Sequence, residues 1–327
     1  MTVSKMRLDH FIAASCQRTQ NMDANEAVIF ARELLKVRAR AFETQYPEYK
    51  ALRFVPRNTE VDELDEAYTY RIFSETGTAE LMSDYSNTAP RADVSGVEAT
   101  PQKIKPIVAS YGYSFMEARR AAKLGNELPM RKANAARRAI AQEVNRVLTY
   151  GDSIKTGVTL AGLLTLTGTL TYSTPNGAAG SKTWALKTAD EVILDMTSMV
   201  TQVIVNSNDI EHPDTLILPL SSYESIKSRR MGDGSDKTIL NYFRELRPEI
   251  TVEGWYAAES DGALSVWTGK RMMAYQRNAE KLDAILPIEF EQLAPDVTAM
   301  ETVTKCHARV GGVMLYYPKS VIYGDGI

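Results

Sequence analysis

The stretch from Glu66 to Thr100 most constrains this chain: it alternates like a strand yet carries too little apolar side chain to build a core. Tyr68, Tyr70 and Ile72 alternate with Thr69 and Arg71, the period of two that marks an extended segment with one face covered. Gly77 permits a turn, Glu80 to Tyr85 reads as a second extended segment, and Pro90 breaks it. A long ribbon that loses backbone entropy without burying apolar surface needs another body to pack upon. The segment is therefore read as an outstretched arm.

Charge says where such an arm could lie. Residues 66–100 hold six acids (Glu66, Glu75, Glu80, Asp84, Asp93, Glu98) and two bases (Arg71, Arg91), a net of −4. Residues 117–146 hold eight bases (Arg119, Arg120, Lys123, Arg131, Lys132, Arg137, Arg138, Arg146) and three acids (Glu117, Glu127, Glu143), a net of +5. An acidic arm beside a basic helical pair suggests that the arm lies across such helices, in its own chain or in another copy. Ordinary surface patchiness and a nucleic-acid contact are the two other readings. The whole chain has a net charge of −3, and strong phosphate binding normally shows an overall basic balance. Any contact with DNA is therefore expected to be weak and local.

The rest of the chain supplies ordinary cores. Residues 23–41 read as a helix, opened by Asp23 and Glu26 and ended by Pro47, that packs on its own core or on a neighbour. Ser114 and Glu117 form a capping box ahead of a short helix that Gly125 ends. A longer helix is expected from Pro129 to Tyr150, with Ala133, Ala136, Ile140, Val144 and Val147 as its apolar stripe and Gly151 as its stop. Residues 152–182 are rich in Thr and Gly and read as a loop-and-strand connection. A second capping box, Thr188 and Glu191, opens an α/β run: helix to Val205, strand Thr215–Leu218, helices at 222–230 and 236–246, strand Ile250–Gly254. The last third reads mainly as strands, with Val297–Lys305 and Val313–Tyr317 the clearest.

A search for chemistry returns no catalytic, cofactor or metal site. Cys16 and Cys306 form no ligand spacing, which fits synthesis in a reducing compartment. His10, His212 and His307 lie apart, and Cys306 and His307, adjacent on a strand, point to opposite faces. Gly232 to Thr238 resembles a phosphate loop, but Asp236 stands where glycine must precede the lysine, so a loop capped into the next helix is expected. Tyr111 to Ser114 is explained by capping rather than as a hydrolase elbow. Glu289 and Glu291 share a strand face without other signs of a cleft. The apolar stretch after Asp9 and His10 is about five residues, short of the ~7–15 of a secretory signal. No apolar run approaches the ~18 residues of a membrane span, so no membrane partner is expected.

The order of these parts resembles the Hong Kong 97-type capsid fold, an α+β fold shared by tailed-phage coat proteins and encapsulin shells. Several stretches resemble a phage coat family of that fold: Leu8 to Phe11, Arg38 to Arg40, Gly77 to Glu80, Pro90 to Val94, Tyr111 to Ser114, Ala135 to Arg138, and Gly151-Asp152. The resemblance is densest from residue 8 to 165. It implies an N-terminal arm and helix over 1–65 and an extended loop over 66–100. A peripheral domain with a spine helix would take 101–185 plus 270–327, and an axial domain 186–269. By the same resemblance the chain would be a major capsid protein, self-assembling through hexamers and pentamers into a shell around packaged double-stranded DNA. Portal protein, and scaffold or decoration proteins, would be its other partners. It would be located in the virion after synthesis in the host bacterial cytoplasm. Contacts between copies are expected at Tyr68, Tyr70, Ile72, Glu75, Glu80, Asp84, Arg131, Arg137 and Arg138. Some members weld the shell through a loop lysine; residues 66–100 contain none, so no such weld is expected from that loop. Two other readings stand beside this one: an encapsulin-like nanocompartment loaded with an enzyme, and an α/β hydrolase or transferase with its site in the second lobe.

Overall fold

A computed structural model of the chain describes residues 48–80, 91–124, 128–152, 159–232, 236–260, 267, 269–298 and 300–327. The chain divides into Met1–Glu48 and Tyr49–Ile327, and the architecture below is that of the second unit. The helix expected over 23–41 lies outside the described residues, as do positions 81–85 of the expected second extended segment, Asp84 among them.

A short helix, α1 (Ala51–Phe54), leads into β1 (Ala67–Tyr68), β2 (Arg71–Thr76), β3 (Asp93–Glu98) and β4 (Gln102–Lys103). Strand β1 pairs antiparallel with β4, and β2 with β3 from Arg71↔Glu98 to Thr76↔Asp93. Together they form a long hairpin on a narrow root. Next come β5 (Lys105–Ser114), α2 (Phe115–Leu124) and α3 (Leu128–Tyr150). The turn from β5 into α2 is the expected capping box: the Glu117 amide donates to Ser114 Oγ, and the Ser114 amide to Glu117 Oε2, both at 3.2 Å.

Helix α3 buries Ala136, Ile140, Val144, Val147 and Leu148, the 3–4 spacing that turns one stripe to the core. It stops at Gly151, whose φ of 73° belongs to the left-handed region. A Cβ at Gly151 would stand 2.1 Å from the Leu160 carbonyl oxygen, so only glycine lets the two segments cross there.

The chain continues through β6 (Leu170–Tyr172), α4 (Ala189–Asn206), β7 (Thr215–Pro219), α5 (Leu220–Ser228), α6 (Ile239–Leu246) and β8 (Thr251–Trp255). Thr188 and Glu191 close the capping box that opens α4, as expected. Just before that helix, Lys187 and Asp195, both buried, meet at 2.6 Å, and the Trp184 indole donates to the same carboxylate at 3.0 Å. The final strands are β9 (Arg271–Tyr275), β10 (Leu282–Ile285), β11 (Ile288–Gln292), β12 (Asp296–Val297), β13 (Glu301–Val310), β14 (Gly312–Leu315) and β15 (Val321–Asp325).

Two sheets organise these elements. One has the order β6-β15-β9-β7-β8, with β9 antiparallel to both its neighbours. Leu216, Leu218, Met272, Ala274 and Ile322 pack with α4 and α6 on one face, while Ile217, Met273, Tyr275 and Tyr323 join the core that α3 shares. The period-two split explains why these strands read as continuous apolar runs, since both faces are covered. The second sheet pairs β5 with β13 along ten residues, β11 and β12 lying on β13's other edge, and α3 packs across it.

The first sheet joins strands from both expected lobes: β9 lies between β7 and β15, antiparallel to each, and β15 runs parallel to β6. Two expectations change. The expected strand Val297–Lys305 is two strands: the Thr298 amide and hydroxyl both bond to the Glu301 carbonyl at 2.9 Å, which reverses the chain without Gly or Pro. Similarly, β14 ends at Leu315, short of Tyr317.

Candidate interaction surfaces

The hairpin body stands free of any core. All residues of β2 and β3 are exposed. Alternation and register place Arg71, Phe73 and Glu75 on one face with Glu98, Gly96 and Val94 opposite them. Ile72, Ser74 and Thr76 share the other face with Val97, Ser95 and Asp93. Both faces thus carry apolar side chains in water: Phe73 is 67% exposed, Val97 65%, Val94 58% and Ile72 47%. An isolated two-stranded ribbon is marginal in water, and a contiguous exposed apolar patch marks a surface that meets a partner.

The root behaves differently. Tyr68 and Tyr70, expected to contact another copy, are half-buried against Ile104, Ile285, Met314 and Tyr316 of their own chain. The Tyr70 hydroxyl donates to the Leu315 carbonyl at 3.2 Å, and its ring meets Tyr316 edge-on at 4.8 Å. The Tyr68 hydroxyl donates to Glu60 at 3.0 Å. Beneath them Asp283, 4% exposed, accepts from Asn58 Nδ2 at 2.5 Å and from the Tyr316 hydroxyl at 2.9 Å. Burial pushes its carboxyl up to about 6. Arg309 clamps the entering chain through the carbonyls of Glu63 and Asp65. The alternation from Tyr68 to Ile72 therefore crosses from an anchored root to a free ribbon, and Ile72, expected half-buried, falls on the free side.

The basic helical pair is partly neutralised within the chain. Lys132 pairs with Glu117 at 3.0 Å and holds its carboxyl below the usual carboxylate range, and Arg146 pairs with Glu143 and Asp152. Arg131, Arg137 and Arg138 are exposed along α3, and the Arg137 guanidinium lies 5.6 Å from the Phe290 ring. Beside it, between α3 and β11, is a recess of about 180 Å3 walled by Tyr49, Leu52, Ala141, Val144, Asn145 and Phe290. Exposed Arg137 and Glu289 also line it. Its walls come from segments more than two hundred residues apart, so no local pattern could have announced it. Glu75 and Glu80 are exposed on the hairpin and its continuation.

The residues weighed for chemistry are dispersed. His307 pairs with Glu291 at 3.3 Å and His212 with Asp209 at 3.5 Å, while buried Cys306 faces the opposite side of β13. Among the described residues, no three His, Cys, Asp or Glu side chains converge as a metal site would require. Thr238 accepts from the Asn241 amide at 3.4 Å and so caps α6, the role expected for the end of the 232–238 loop.

Nothing among curated protein sequences matches the chain. Its structure is similar to the capsid of Myoviridae phage XM1, with a TM-score of 0.78 at 17% identity over 91% of this chain and 98% of that one. Similar too are a chain from Mycobacterium phage Adephagia (TM-score 0.57, 11% identity, 93% and 98% covered) and the capsid of a native GTA particle (0.59, 10%, 89% and 95%). These likenesses show the α+β capsid fold that the resemblance implied. The model of the Major capsid protein family matches residues 77–327, from the tip side of the hairpin through both sheets to the last residue. The chain belongs to the Major capsid protein family.

Proposed function

We propose that this chain is the repeating subunit of a tailed bacteriophage head. It forms hexamers and pentamers of itself that close into an icosahedral shell around double-stranded DNA. Its role is mechanical and non-enzymatic, and its place is the virion after synthesis in the host cytoplasm. The observation that carries this reading is the hairpin: an apolar, acidic ribbon on an anchored root, presented by a chain of the capsid family. The ribbon of one copy lies over the next, where Ile72, Phe73, Val94 and Val97 leave water. At ~25 cal/mol per Å2 of apolar surface, that burial outweighs exposed ion pairs worth about 0–1 kcal/mol each. A net charge of −3 leaves the contact with packaged DNA weak and non-specific. Portal protein, and scaffold or decoration proteins where the shell needs them, are the other partners.

The test is electron microscopy of the protein produced in a host with its neighbouring head genes, beside a variant in which a short Gly-Ser turn replaces residues 72–97. Closed shells are expected from the first and none from the second. A compact monomer from the full chain, or shells unaffected by the deletion, would sink the proposal.

A further inference from the structure

An exposed ribbon that docks needs a receptor, and the recess on α3 has the size and chemistry of one. We infer that the Phe73 ring of one copy inserts into the recess between α3 and β11 of a second copy. This rests on the reading of the chain as a self-assembling shell subunit.

Shape is the first argument. The recess measures about 180 Å3, and Tyr49, Leu52, Ala141, Val144 and Phe290 give it apolar walls beside Asn145. Apolar cavities of about 150 Å3 admit a benzene ring. Among the described residues, Phe73 is the largest apolar side chain on the ribbon body and the most exposed of them. Gly96 stands opposite it, where a Cβ would come within 3.1 Å of Phe73 Cε1. The ring thus rests on bare backbone on one side and offers its other side outward.

Charge is the second. Arg71 and Glu75 flank Phe73 on its own face, each two residues away, or roughly 7 Å along the strand. The recess carries one base and one acid of its own, Arg137 and Glu289. With Phe73 seated, Glu75 meets Arg137 and Arg71 meets Glu289, a pattern that admits the ribbon in one direction and opposes the reverse. The acidic ribbon also lies along a helix whose exposed cations include Arg131 and Arg138.

Assembled particles test this directly. A diazirine analogue of phenylalanine is placed at position 73, and 14N- and 15N-labelled chains are mixed before assembly. On irradiation, the expected product is an isotopically mixed crosslink to residue 49, 52, 137, 141, 144, 145, 289 or 290. Labelling anywhere else, including residues 1–48 or the same chain, overturns the docking. Particles without that crosslink would refute the inference while leaving the shell reading intact; a wild-type chain that makes no particles would defeat the shell reading itself. In parallel, Glu75→Arg should reduce particle yield at least tenfold, and adding Arg137→Glu should restore it. Ala141→Trp fills the recess and should prevent assembly with the subunit's thermal unfolding little changed. Normal particle yield from a folded Ala141→Trp chain would also overturn the inference, and if that chain misfolds the crosslink map decides alone.

Discussion

Asp283 is a carboxylate at 4% exposure whose donors Asn58 and Tyr316 share one oxygen, while Oδ1 has no partner among the described residues. Burial dominates and lifts it to about 6, helped by the negative charge of Glu60. An unfolded Asp titrates near 4, so the folded chain binds this proton more tightly. The stability this group contributes is full below about pH 4 and is lost as pH rises through 6. Asp283→Asn keeps an acceptor for both donors and cannot ionise. Urea unfolding of the unassembled chain should find the variant more stable than wild type by about 1–2 kcal/mol at pH 7.5, the gap narrowing as pH falls through 6 and closing only below about pH 4. A gap independent of pH would refute this account. Nothing in the sequence near Asp283 announces it, because Asn58 and Tyr316 reach it from 225 and 33 residues away.

At the scale of elements, what was legible depended on whether the signal is local. The boxes Ser114/Glu117 and Thr188/Glu191 exist because side chains three residues apart meet the first-turn amides, and both are found where the spacing puts them. The stripe of α3 is legible for the same reason. Replacing Ile140, 1% exposed within it, by alanine should cost about 2–5 kcal/mol in denaturant unfolding, while Arg131→Ala on the open face should change stability by less than about 0.5. Equal effects would mean that the stripe is misassigned. The turn at Thr298–Glu301 was illegible because it is closed by backbone and hydroxyl bonds among residues that also suit strands. The sheet that joins strands of both expected lobes was illegible for a related reason: β9 and β15 enter it through partners far away in sequence. Of the candidate interaction residues, the exposure of Glu75, Glu80, Arg131, Arg137 and Arg138 was legible from their charge. The anchoring of Tyr68 and Tyr70 was not, since it depends on Leu315 and Tyr316.

For the molecule among its copies, the question is what would hold a shell whose ribbons carry no lysine to weld it. A weld from the ribbon would need an amine there, and residues 66–100 carry no lysine; Lys103 and Lys105 lie in β4 and β5, beyond the ribbon body. Cohesion is then expected from many modest contacts. Each apolar side chain withdrawn from water contributes about 1.5–3 kcal/mol when fully buried. Contacts between unlike surfaces close into rings when the rotation permits, so every subunit is held on both sides. Loss of one contact weakens a ring without opening it, which makes the shell cooperative and yet reversible. Mature particles boiled in detergent should therefore run as monomers near 36 kDa, the mass of the chain being 36.3 kDa. Intact shells diluted into moderate denaturant should dissociate to subunits that still give native-like circular dichroism, because the ribbon detaches before the two cores open. A ladder of covalent multimers would show that another lysine, outside the ribbon, takes over the welding.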